Sequence, residues 1–241
     1  MPTAHRALIW SRHDFRESSR LVTLLTRESG KLSALAKGAH RLNSPMLGKI
    51  DLLNLVDATV SGRPGNLKLL SRLTLLHEHR ELREPRRFLA ASYLIELFDP
   101  AFPQGRQDPE LFDLIEGAIR LIDKCPLPSI PTILAGIELR FLRTLGLLPG
   151  LPGCRECGED GPAMFMPKSG AGFLCPKHAT GGEGSVREPI SRWLARVDAT
   201  PGKDWARLQS SEVAEESLTV LGNWIARAVE KQPRLRRLAI G

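Results

Sequence analysis

Near His77 the apolar pattern of the chain changes period, and that change limits what it can fold into. From Ala7 to His77, apolar stretches of strand length alternate with turn signals, and no helical repeat is sustained. Strands are predicted near 7–14, 20–28, 31–38, 50–61 and 67–77. The turns between them are Glu28-Ser29-Gly30-Lys31, Leu42-Asn43-Ser44-Pro45 and Ser61-Gly62-Arg63-Pro64-Gly65-Asn66. Five strands in about 75 residues suit a small barrel of the OB type, whose grooves bind single strands. An SH3-like barrel meets the strand count as well.

Beyond His77 apolar residues recur at i, i+3 and i+4, the stripe of a helix that packs on a core. Helices are predicted over 86–99, 108–124 and 130–145, with two more near 187–197 and 211–231. Asp108-Pro109-Glu110 supplies an N-cap, a proline at the first helical position and an acid in the first turn; Gly146 and Pro149 stop the third helix. Residues 179–185, Ala-Thr-Gly-Gly-Glu-Gly-Ser, read as a flexible connector. The expected fold is therefore α+β: a barrel domain over residues 1–80, then a helical domain over 81–241.

Within the helical part, Cys154-Arg155-Glu156-Cys157-Gly158 and Cys175-Pro176-Lys177-His178 give the spacing C-x2-C-x17-C-x2-H. Two residues between ligands let one tight turn aim both side chains at the same ion, and Gly158 lets the backbone fold back behind it. Four such ligands close a tetrahedral site, so one structural Zn2+ is expected on Cys154, Cys157, Cys175 and His178. The histidine and the ribbon-like spacing favour zinc over an iron-sulfur cluster. Cys125, alone at a helix end, is expected to be a buried apolar residue.

The net charge of +7 sharpens when it is located. Residues 1–80 carry 13 Lys+Arg against 6 Asp+Glu, and the remainder of the chain is balanced. A positive field at one end attracts a polyanion, for which nucleic acid is the commonest cytoplasmic candidate. If Ser29-Gly30 is a two-residue hairpin loop, Glu28 opposes Lys31 and the strand face of Arg20 also carries Lys37. Arg20, Lys31 and Lys37 are then expected on one outward face, with Leu21, Thr23, Leu25, Leu32, Ala34 and Ala36 turned to the core. Arg12, Arg16, Arg41 and Lys49 extend the predicted DNA-binding surface. Trp10 and Phe15 are the only Trp, Tyr or Phe before residue 80, so binding should be directed mainly at phosphates and depend strongly on salt.

Neither a phosphate loop, a nucleophile elbow nor a dinucleotide fingerprint occurs, and the chain is not expected to be an enzyme. A zinc deaminase would pair H-x-E with P-C-x-x-C. His79-Arg80-Glu81 imitates the first element, but Gly153 separates Pro152 from Cys154, and the second ligand pair completes the site without His79. An RNA- or ribosome-associated module with the same basic barrel stays open. No stretch of about 18 apolar residues and no signal-peptide pattern is present, so a cytoplasmic protein without membrane contact is expected.

The stretch from Arg20 to Lys31, RLVTLLTRESGK, followed by Ala34-Leu35-Ala36-Lys37-Gly38-Ala39, resembles the N-terminal signature of the bacterial DNA repair RecO family. The likeness continues through Ala91–Leu97, Asp108–Phe112 and Glu138–Leu142 to the cysteine pairs, covering about residues 5–178. The resemblance implies an OB-fold, then helices with an inserted zinc finger at about 150–180. It implies a non-enzymatic recombination mediator that binds single- and double-stranded DNA and anneals complementary strands. The implied partners are RecR and the acidic C-terminal tail of single-stranded DNA-binding protein, and the implied role is loading of the RecA recombinase, in the bacterial cytoplasm at the nucleoid. It places Cys154, Cys157, Cys175 and His178 on the metal positions, and Arg20, Lys31 and Lys37 on the basic signature. Many members carry Arg where this chain has His40, and Cys where it has His178. The first change weakens an expected phosphate contact near neutral pH; the second keeps zinc ligation. Arg140 and Arg143 are a candidate surface for the acidic tail, and Arg234-Leu235-Arg236-Arg237 reads as a basic tail.

Overall fold

Thirteen residues from Thr3 to Phe15 form β1, and its length closes the first sheet on itself. In the computed structural model, which describes residues 2–63, 66–181, 184–208 and 212–240, β1 pairs antiparallel with β4 (Leu55–Ser61) over Thr3–Leu8 and with β2 (Ser19–Thr26) over Ala7–Phe15. A register shift between Ile9 and Ser11 bends the strand, so one segment serves two neighbours. With β3 (Gly30–Ala36) and β5 (Lys68–His77), the order around the closed barrel is β1-β2-β3-β5-β4, the β3–β5 pair being parallel. That topology is of the OB type and settles the choice between the two predicted barrels.

Small side chains suit a narrow barrel: Ala7, Ala34, Ala36 and Ala58 share the core with Ile9, Val22, Leu24, Val56, Val60, Leu70 and Leu73. The strand predicted from residue 50 begins only at Leu55; residues 37–54 run as successive turns that place Ala39, Met46 and Ile50 in the same core. Pro64 and Gly65 of the predicted turn, Gly182 and Glu183 of the connector, and Ser211 of the last predicted helix lie outside the described residues.

The β2–β3 register corrects one expectation. Thr26, not Glu28, marks the end of the ladder, where it pairs with Gly30, and Arg20 pairs with Ala36. The loop is three residues long, closed by the Thr26 hydroxyl, which donates to the Gly30 carbonyl at 2.8 Å and accepts from the Ser29 amide at 3.0 Å. Gly30 takes the left-handed φ of +63° that such a loop demands. Because the register moves by an odd number of residues, Val22 and Leu24 face the core with Ala34 and Ala36, and Lys31 falls on the face opposite Arg20.

Two compact units divide the chain. The first joins Met1–Glu81 to Phe98–Arg120, and the second joins Leu82–Leu97 to Leu121–Gly241. Helix α2 (Pro109–Lys124) thus gives most of its length to the barrel unit, capped as predicted by the Asp108 carboxylate, which accepts from the Leu111 amide at 3.0 Å. Its Asp113 forms a two-pronged ion pair with Arg27, and Glu116 does the same with Arg6. Counted by unit, the barrel part holds 15 Lys+Arg and 12 Asp+Glu, net +3, and the other 19 and 15, net +4. The positive excess expected at one end is therefore not confined there, because residues 98–120 bring carboxylates onto the barrel.

In the second unit, α3 (Ile130–Thr144) is buried along most of its length and packs against α4 (Glu188–Ala199), α5 (Glu212–Ala228) and the short α6 (Arg236–Ile240). Helix α1 (Pro85–Phe98) gives the unit Ala90, Ala91, Tyr93, Leu94 and Leu97, all buried. Two short strands, β6 (Ala163–Met166) and β7 (Gly184–Arg187), form an antiparallel pair that sequence periodicity does not reveal. Cys125 is buried as expected, and its thiol is pushed up by that burial.

Candidate metal centre and nucleic-acid interface

Two tight turns build the metal centre. At the first, the Gly158 amide donates to the Cys154 carbonyl at 2.7 Å, and Gly158 has φ +75°. At the second, the amides of His178 and Ala179 donate to the Cys175 carbonyl, both at 3.0 Å. The Cys154 amide donates to the Glu159 carbonyl, and that of Arg155 to the Phe173 carbonyl, which brings the turns side by side. The donor atoms of Cys154, Cys157, Cys175 and His178 all lie within 4.8 Å of one another. Cys157 and Cys175 sulfurs are 3.8 Å apart, and His178 Nδ1 lies 3.3 Å from Cys175 Sγ and 3.7 Å from Cys154 Sγ. Sulfurs about 2.3 Å from one tetrahedral centre stand about 3.8 Å apart, and a thiolate and an imidazole about 3.5 Å. The cluster can hold a metal ion through these four atoms.

Its electrostatics favour the anionic ligand form at two thiols. Burial raises Cys154, but the backbone amides of Cys175, Glu156 and Cys157 outweigh it and hold the thiol down to about 6. The Cys175 thiol is lowered by the His178 side chain, whose own value is raised in return. At Cys157 the backbone of Glu159 pulls down, but desolvation and the two neighbouring thiols raise it overall. The segment docks on α5: the Phe173 and Trp224 rings meet edge to face at 5.1 Å, and Arg227 donates to the carbonyls of Pro167 and Gly170.

The predicted DNA-binding cations separate into two groups. Arg16, Lys37 and Arg41 line one open cleft of about 550 Å³ between the β1–β2 turn and the chain leaving β3. All three are exposed, and among the described residues none has a carboxylate partner. The other four are engaged inside the barrel unit. Arg12 pairs with Asp51 and donates to the Ile50 carbonyl. Arg20 bonds Asp14 at 3.1 Å and His40 at 3.0 Å, and these two hold the Asp14 carboxyl below its usual range, His40 more than Arg20. Lys31 donates to both the carboxylate and the backbone carbonyl of Asp99 at 2.8 Å, and only 15% of its side chain is exposed. Lys49 reaches the Leu73 carbonyl at 3.3 Å. For Lys31 nothing in the first 80 residues signals the partner, since Asp99 lies far along the chain.

Phe15 lies in the same cleft, one of the two rings from which no stacking platform is expected. Trp10 is buried, its indole N–H donating to Asp99 at 2.7 Å, whereas Phe15 is 39% exposed with the Arg16 guanidinium 5.4 Å from its ring centre. In the helical unit, Arg143 is ion-paired with Asp198, and Arg140 lies over the Trp205 ring. Arg236, read as part of a tail, is instead buried and bonded to Glu138 through two contacts, at 2.7 and 2.8 Å. No helix among the described residues is long and apolar enough to cross a membrane.

Two family descriptions match the chain: "Recombination protein O N terminal" over residues 1–79 and "Recombination protein O C terminal" over residues 82–237. The chain is 34% identical over 184 residues to the DNA repair protein RecO of Symbiobacterium thermophilum, covering 72% of this chain and 70% of that protein. It is 33% identical over 222 residues to the RecO of Cutibacterium acnes, covering 87% and 89% respectively. With the RecO of Exiguobacterium sibiricum it shares 30% identity over 227 residues, 92% of this chain and 88% of the relative.

Proposed function

The chain belongs to the RecO family of DNA repair and recombination proteins, and from that premise we propose that it is a non-enzymatic recombination mediator. In this reading it binds single- and double-stranded DNA, anneals complementary strands, and assists recombinase loading on strands coated by single-stranded DNA-binding protein. It works in the bacterial cytoplasm at the nucleoid, with RecR and the acidic tail of the coating protein as partners. Residues 1–80 form the DNA-binding domain, and residues 81–241 the helical domain carrying a zinc finger at about 150–180.

The observation that carries this reading is the cleft lined by Arg16, Lys37 and Arg41, none of which is paired with a carboxylate among the described residues. Annealing needs no catalytic side chain. Cations that screen two phosphate backbones lower the barrier to duplex nucleation while the bases stay free to pair. Phosphate contact is assigned to these three residues. Arg12, Arg20, Lys31 and Lys49 are given a structural role, each tying strands and turns of the barrel unit together through its hydrogen-bond partners. Three phosphates neutralised on a single strand correspond to a log-log salt slope of about −2.

The four-ligand cluster is read as one structural Zn2+ site: three thiols and one imidazole are the soft donors zinc takes, and a closed set leaves no position for a reacting water. Bound zinc supplies a cross-link between the two turns and no chemistry on DNA.

The test is annealing of complementary strands coated by single-stranded DNA-binding protein, with Arg16→Glu, Lys37→Glu and Arg41→Glu combined. Annealing and DNA affinity at low salt are expected to be lost, with the zinc content of the purified variant retained. Unchanged affinity removes the cleft from the function, and tighter binding of structured RNA than of DNA overturns the mediator reading.

A further inference from the structure

We propose that Phe15 and Arg16 form a stacking step for one unpaired nucleobase, which makes the cleft selective for single strands over duplex. The inference rests on the cleft being the DNA-binding surface and goes on to say which form of DNA it takes.

Phe15 closes β1 and Arg16 opens the turn that follows. Trp10, the other large ring of the first 80 residues, is 3% exposed and committed to Asp99, whereas Phe15 is 39% exposed. Phe15 keeps that surface in solvent in the same lining as Arg16, Lys37 and Arg41. Arg16 sits at φ +58°, a left-handed conformation that an L-residue with a Cβ adopts only at a cost. What the backbone secures by that conformation is a guanidinium stationed over the ring, 5.4 Å from its centre. Both groups are planar and apolar-faced, the two kinds of surface on which bases stack in sequence-tolerant single-strand sites.

The rest of the cleft complements a single nucleotide unit. Lys37 and Arg41 supply the charge for its phosphate, and the volume of about 550 Å³ is in the range of small-ligand sites. Glu17, the one carboxylate in the lining, disfavours phosphate near itself and so leaves the backbone to the Lys37–Arg41 side. In a duplex every base face is already covered by its neighbours, and exposing one costs a few kcal/mol. The stacking gain is therefore available only to an unpaired strand. Since a single step holds a single base, the neighbouring bases remain free to pair, which is what an annealing protein requires of its grip.

The experiment compares fluorescence anisotropy of a labelled 20-residue oligo-dT and a 20-base-pair duplex at one salt concentration, for the full-length protein and three variants. For Phe15→Ala the ratio of single-strand to duplex affinity is expected to fall about tenfold, a typical loss on removing one stacked base, with the salt slope kept. Phe15→Trp is expected to restore the ratio. The combined Arg16→Glu, Lys37→Glu and Arg41→Glu variant is expected to lose both ligands. If the triple variant loses both while Phe15→Ala keeps the wild-type ratio, the stacking step is wrong and the cleft reading survives. If the triple variant binds like the wild type, the cleft reading falls and this inference falls with it.

Discussion

Thr26 and Gly30 fix where the barrel's charges point. The sequence signals a turn at Ser29-Gly30, and a turn is there, yet a loop of two residues and one of three place the strand faces oppositely. What decides is a hydroxyl that bonds both the Gly30 carbonyl and the Ser29 amide, a detail to which residue periodicity is blind. Gly30 is held on two counts: its φ of +63°, and a backbone so close that an added Cβ would lie 2.1 Å from the Arg106 carbonyl oxygen. Gly30→Ala is therefore expected to destabilise by about 2–4 kcal/mol, a left-handed penalty of about 1 plus a clash that only backbone movement relieves. Urea denaturation of the two proteins measures it; a difference under about 0.5 kcal/mol would mean that the loop rearranges freely.

At the scale of elements, the long helices were legible because each carries an unbroken apolar stripe: Ile130–Thr144 is predicted at 130–145 and Pro109–Lys124 at 108–124. The β6–β7 pair was not, since four residues are too few to show a period. Helix α6 was missed for another reason: Arg234-Leu235-Arg236-Arg237 has the composition of a solvated tail, and only the fold supplies its buried partner. Arg236 bonds the fully buried Glu138 and the Leu218 carbonyl, and the Tyr93 hydroxyl donates to the same carboxylate at 2.5 Å. Burial and the Glu138 charge push the Tyr93 hydroxyl well above its usual range. Removing one partner strands a charge, so Arg236→Met is expected to cost about 3–5 kcal/mol, and Arg236→Met with Glu138→Met less than that single change. A double-mutant cycle by chemical denaturation checks the order. The metal segment is likewise tied to α5, through Phe173 and Trp224. Cys175→Ser with His178→Ala is expected to abolish zinc binding and expose residues 150–187 to proteolysis, while oligo-dT affinity stays within about twofold. A larger loss would mean that the finger contributes to the DNA surface.

For the whole molecule, charge was the feature read most directly from sequence and the one most altered by folding. The count over residues 1–80 is correct, but a surface is made of neighbours in space, and residues 98–120 add Asp99, Asp113 and Glu116 to the barrel unit. Two depressed carboxyls of this unit, Asp113 and Asp14, make an acid limb in the stability curve. Asp113 is held below its ordinary 3.8 by its bonds to Arg27, and Asp14 by His40 and Arg20. A carboxyl whose folded value is depressed binds its proton more readily in the unfolded chain, so stability rises with pH across the interval between the two values. The contribution is complete above about pH 5, erodes as pH falls through 3.8, and is gone once the folded carboxyls are protonated. Asp113→Asn removes one such group and is expected to flatten the slope between about pH 5 and 2, as measured by urea midpoints at half-unit steps. Asp57→Asn, at an exposed position on β4 that makes no ion pair among the described residues, removes the same charge elsewhere on the barrel and is the comparison. Equal flattening by both would show that general net charge, not the Arg27–Asp113 tie between barrel and helix, governs the acid limb.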